Sequence, residues 1–169
     1  NLPKDKRIVL FAAAKVSDKR KGIDYLVEAA NILSETEKSN ILFMMAGSHG
    51  EGISPLLPFS AYHLGYVDSD KMIDLYNSAD LFVTPSLQEN LPNTIMEAMS
   101  CGTSCVGFDI GGVPEMIQHK STGYVAKYKD AQDLADGISW VLNDADAETI
   151  SSNSREFVIR NYSQEAIAK

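Results

Sequence analysis

Cysteine is nearly missing from the 169-residue chain: only Cys101 and Cys105 occur, and their spacing fits neither a disulfide framework nor a metal knuckle. Both read as small apolar fillers, one near a helix end and one in a strand. Basic residues are also short, 15 Lys and Arg against 23 Asp and Glu, for a formal net charge of −8. Lys19, Arg20 and Lys21 form the one basic cluster, so an extended nucleic-acid surface, and with it a nucleic-acid partner, is not expected. The histidines, His49, His63 and His119, are dispersed with no Ser or Cys partner in recognisable context, which indicates neither a triad nor a zinc site. No apolar run reaches membrane-spanning length, and the opening NLPKDKRIVLF lacks the layout of a secretory signal, so the chain is expected to be soluble and cytoplasmic.

What is present is 44% apolar content, enough for one substantial core in one domain. Continuous apolar runs at 7–14, 40–47, 80–85 and 104–108, with shorter ones at AYHLGYV and GYVAK, read as buried strands. Helical spacing appears at 25–35, 70–78, 92–101 and 133–144, in a short turn at GGVPEMI, and near 146–160. Asp68 or Ser69 is placed to cap the second of these, and Gly102 to end the third. In the fourth, Leu134, Ile138, Val141 and Leu142 face inward. Strands alternating with amphipathic helices predict an α/β, doubly wound, Rossmann-like parallel sheet covered on both faces. Ligands of such sheets bind beyond the carboxyl ends of the strands, which directs attention to 15–22, 47–50, 65–68, 85–93 and 109–115.

Glu89 and Glu97 stand out there, in PSLQENLPNTIMEAMSCG. With a helix starting near Pro92, Leu91, Ile95, Ala98 and Met99 form its apolar stripe. Glu97 then shares another face with Asn93 and Thr94. Free backbone N–H groups at the helix start suit phosphate, and a carboxylate on either side suits sugar hydroxyls. That pattern matches a nucleotide sugar; equally, Glu97 is a helix-surface charge and Glu89 a loop charge. The loop KVSDKRKGIDYL puts Lys15, Lys19, Arg20 and Lys21 where a diphosphate would lie, or is simply solvated. Gly111 and Gly112 follow a strand and allow close backbone approach, or only a tight turn. Asp68, Ser69 and Asp70 spell D-x-D, but before a helix they read as caps, and no metal is expected.

Taken in order, the KG of RKGIDYL, MAGS, HLGYVDSDKMIDLYNSADLFVTPS, the E-x7-E of Glu89 and Glu97, EAMSCGTSCVGFDIGGVPE and TGYVA make a strong set covering almost the whole chain. The chain resembles the C-terminal, donor-binding domain of the retaining glycosyltransferases of family 4, which have the two-domain GT-B fold. The resemblance implies a nucleotide diphosphate sugar as donor, no metal cofactor, and a glycan or lipid-linked acceptor. It implies a catalytic role for Glu89 at the transferred sugar, ribose binding by Glu97, and contacts from Asn90, Leu91, Pro92, Asn93 and Thr94. Lys21 would neutralise the diphosphate, and Tyr66 and Val67 would lie near the nucleobase. One departure is visible: where the family commonly carries Gly-Arg, this chain has Ala13 and Ala14 followed by Lys15, so Lys15 or Arg20 is left to replace that arginine. A lysine does not reproduce a bidentate fork.

The resemblance further implies attack from the face of departure, hence retention, with the leaving phosphate assisting deprotonation of the acceptor. It places the acceptor site on an N-terminal domain that this chain lacks, so the chain alone is expected to bind donor weakly without transferring. The full enzyme would be cytoplasmic or peripheral at the inner membrane face, in polysaccharide biosynthesis. A GT-B-type nucleotide-sugar epimerase and a non-catalytic nucleotide-binding module are the alternatives.

Overall fold

The computed structural model describes residues 5–36, 40–90 and 92–162. Six strands, β1 (Arg7–Lys15), β2 (Ile41–Ser48), β3 (Ser60–Gly65), β4 (Leu81–Thr84), β5 (Cys105–Phe108) and β6 (Gly123–Ala126), form one sheet in the order β3-β2-β1-β4-β5-β6. Every neighbouring pair is parallel. The chain winds outward from β1 through β2 to β3, then returns to β4 on the other side of β1. The strand order therefore reverses between β1 and β4, the kind of point near which sheets of this class hold ligands at the strands' carboxyl ends.

Side chains alternate across each strand, so one sheet builds two cores. Val9 and Phe11 of β1 face the side that buries Leu26, Leu33, Leu134 and Ile138, from α1 (Ile23–Thr36) and α5 (Ala131–Ser139). Ile8 and Leu10 face the other side, with Tyr76, Ile95, Met99, Met116 and Val158. Those come from α2 (Ser69–Ser78), α3 (Asn93–Ser100), α4 (Val113–Met116) and α6 (Ala147–Tyr162). Both faces are covered, which is why the strands read as continuous apolar runs. Cys105 is fully buried in β5 and burial pushes its thiol pKa up, so it serves as packing. Among the described residues no helix is long and apolar enough to cross a membrane.

Most boundaries fall within two residues of those expected, and two of the differences have a visible reason. The helix expected over 133–144 begins at Ala131 and remains α-helical only to Ser139. Trp140–Asp144 widen into a π turn, closed by the Ala145 N–H donating to the Trp140 carbonyl at 2.9 Å. Both Val141 and Leu142 are buried there, and a 3.6-residue pattern carries no signal for that widening. β2 also runs past Gly47 to Ser48, because Ser48 still pairs with Lys15 of β1. As expected, Asp68 caps α2, its carboxylate accepting from the Lys71 N–H at 2.9 Å.

Candidate functional site

A cleft of about 210 Å³ opens at the carboxyl ends of β1 and β2. Its floor is Ala12, Ala13 and Ala14 from β1 with Ala46 and Gly47 from β2. Tyr66 and Val67 follow β3, Met72 and Tyr76 come from α2, and Thr94 and Glu97 from α3. Tyr66 is 86% exposed, a free aromatic face at the rim, while Val67 is half-buried. Glu97 is exposed, and the buried Tyr76 donates its hydroxyl to Glu97 Oε2 at 3.2 Å. Burial first, and then the Glu97 charge, raise the Tyr76 hydroxyl above its ordinary pKa, so it stays a donor.

The second group of residues sits on the loop from β4 into α3 and on the turn Lys19–Lys21 before α1. Lys21 Nζ lies 3.1 Å from Glu89 Oε1, with the side chains 37% and 18% exposed. Neither residue lines the cleft just described; α3 and its preceding loop join the two groups. Pro92 occupies the N-cap of α3, and among the described residues no side chain caps the helix, so its first-turn amides have no side-chain cap there. Asn93 is exposed and Thr94 half-buried at this first turn, and Asn90 is exposed just before it. Leu91 lies outside the described residues.

The loop is held by contacts that no sequence pattern displayed. Its Leu87 N–H donates to the Arg20 carbonyl at 2.8 Å, and the Tyr128 hydroxyl donates to the Leu87 carbonyl at 2.9 Å. Gly22, at φ 78°, ends the turn Lys19–Lys21, and a Cβ there would come 1.7 Å from the Pro85 carbonyl oxygen. Gly111, at φ 54°, would bring a Cβ 1.6 Å from the Glu89 carbonyl oxygen. Both positions need left-handed backbone and the absence of a side chain. The close approach anticipated at the paired glycines is therefore to the Glu89 main chain. Tyr76 and Tyr128 were the residues missed: each looked like an ordinary aromatic, and only its polar tip reaches the site.

The other cations are placed less directly. Arg20 forks onto Asp18, Nε at 3.2 Å from Oδ1 and the terminal nitrogen at 2.9 Å from Oδ2, and Arg20 in turn holds the Asp18 carboxyl below its usual pKa. Lys15 is exposed at the end of β1. Lys19 lies 3.5 Å from Asp24 at the surface. His49 is exposed, its Nδ1 2.9 Å from Ser48 Oγ, and is not part of the cleft lining.

Comparison with known proteins gives a consistent result. The profile of the family described as "Glycosyl transferases group 1" matches residues 1–157. An uncharacterized glycosyltransferase of Methanocaldococcus jannaschii is 30% identical over 171 residues, covering 98% of this chain and 43% of its own length. Sucrose-phosphate synthase from Thermosynechococcus elongatus superposes with a TM-score of 0.84 at 28% identity, over 99% of this chain and 44% of that one. A variant of TarM from S. aureus, in complex with fondaparinux, alpha-GlcNAc-glycerol and UDP, superposes with a TM-score of 0.79 at 27% identity, over 99% and 36%. The chain spans less than half the length of each of these relatives.

Proposed function

This chain belongs to the glycosyl transferases group 1 family, and from that premise we propose that it is the donor-binding half of a retaining, family 4 glycosyltransferase. The donor in this reading is a nucleotide diphosphate sugar, and the acceptor, a glycan or lipid-linked sugar, is held by a separate N-terminal domain. The observation that carries the reading is the Lys21–Glu89 pair beside the uncapped start of α3, with Glu97 one turn along the same helix. A cation and free amides next to carboxylates fit a diphosphate flanked by hydroxylated sugars. UDP in the TarM complex supports a nucleotide in the related fold.

In the proposed mechanism, charge growing on the leaving diphosphate is stabilised by Lys21 and the first-turn amides of α3, including those of Asn93 and Thr94, without a metal. In this reading Asn90 and Pro92 line the path between sugar and phosphate. Arg20 is drawn off by Asp18 and Lys15 lies at the end of β1, so Lys21 is the principal cation and the other two add to the local field. Glu89 orients the sugar and stabilises positive charge at the anomeric carbon. Glu97 accepts the ribose hydroxyls, and the exposed face of Tyr66 with Val67 receives the base.

Glu89→Gln tests this. In the full-length enzyme, turnover should fall at least about a hundredfold, on the scale of losing one charge-stabilising group. Nucleoside diphosphate affinity should stay within about threefold of wild type, since the substitution leaves the diphosphate and ribose contacts in place. Unchanged turnover would remove Glu89 from the chemistry, and nucleotide binding without any wild-type turnover would favour a non-catalytic nucleotide module.

A further inference from the structure

Among the described residues Tyr76 is the one fully buried aromatic whose polar tip reaches the cleft. Its ring is fixed edge-on to Phe82, with centroids 5.5 Å apart at 78°. Its carbonyl accepts a hydrogen bond from Thr103 Oγ1, so backbone and ring are held from two directions. The residue it contacts, Glu97, differs in kind: an exposed glutamate on the first turns of α3 has several rotamers open to it. The 3.2 Å hydrogen bond from the Tyr76 hydroxyl to Oε2 selects among them and leaves Oε1 free.

We infer that Tyr76 is a positioning residue: it pre-orients the Glu97 carboxylate so that the free oxygen meets the ribose hydroxyls of a bound nucleoside diphosphate. This rests on the assignment of ribose binding to Glu97. An exposed carboxylate fixed before binding loses less rotamer freedom when ligand arrives, so the tyrosine raises affinity without touching the ligand. A structural role for Tyr76 is the competing account. It is separable, because Phe keeps the ring and its packing, and an exposed Glu97 regains its second hydrogen bond from water.

The experiment is titration calorimetry on wild type, Tyr76→Phe, Glu97→Gln and the double variant of the full-length protein. The probe is whichever of UDP, GDP and ADP binds most tightly, alongside its 2′,3′-dideoxy counterpart. Tyr76→Phe should weaken the ribose form about five- to tenfold, the net range of one ordinary hydrogen bond, and the dideoxy form less than about twofold. The Phe substitution should have little effect in the Glu97→Gln background, and the melting midpoint should stay within a few degrees of wild type. Equal weakening of both nucleotides, or an undiminished effect in the Glu97→Gln background, would overturn the inference. A Glu97→Gln variant that still prefers ribose as wild type does, or no binding of any probe, would overturn the ribose assignment itself and the inference with it.

Discussion

Lys21 and Glu89 hold each other at 3.1 Å in a partly screened setting, where an ion pair is worth at most about 1 kcal/mol. So weak a contact would be easily given up to the diphosphate of the proposed donor. The pair therefore keeps both groups aimed at one place without locking them. Tyr76 behaves differently, since burial and the Glu97 charge displace its ionisation upward. The phenol remains protonated, and its bond to Glu97 intact, throughout the range below its raised pKa. Nucleotide affinity should accordingly be flat from pH 7 to about 9, a range below the ordinary tyrosine value. A loss of affinity on raising the pH, measured by calorimetry and absent in Tyr76→Phe, would contradict that expectation.

The element that organises the site is the β4–α3 loop, and what holds it is largely main chain. Gly111→Ala places a methyl group on the Glu89 carbonyl and a side chain at φ 54°. The strain alone amounts to about 1–3 kcal/mol. The loop should shift, lowering turnover about tenfold or more while nucleoside diphosphate affinity falls less, because Glu97, Tyr66 and Val67 line a cleft that Glu89 does not. Equal losses in the two measurements would argue against a local effect on Glu89. The sequence displayed the strands, α1, α2, α3 and the Asp68 cap, because burial on two faces and helix capping leave periodic, local marks. It also displayed Lys21 and Glu89 as strand-end residues and Glu97 on the helix that follows. It did not display the grip of Gly111 on Glu89, the bond of Tyr128 to Leu87 or that of Tyr76 to Glu97. Those contacts join residues 21 to 41 positions apart, and nothing local distinguishes them. The π turn after Ser139 was hidden for another reason, since periodicity reports the regular helix and not its widening.

At the scale of the molecule, one sheet carries two cores, with Ile95 and Leu134 fully buried on opposite sides. Both cores share the same strands, so they should unfold together. Ile95→Ala and Leu134→Ala should each remove about 2–5 kcal/mol and move a single cooperative transition seen alike by circular dichroism and fluorescence. Two separate transitions would mean that the faces fold independently. The central claim, that the strand reversal between β1 and β4 serves a nucleoside diphosphate held by Lys21, is tested most directly by binding. UDP, GDP and ADP are titrated into the protein and into Lys21→Met at two salt concentrations. The account predicts that at least one nucleotide binds, that Lys21→Met weakens it at least about tenfold, and that its affinity then depends less on salt. Binding that is undiminished by Lys21→Met, with the same salt dependence, would contradict it.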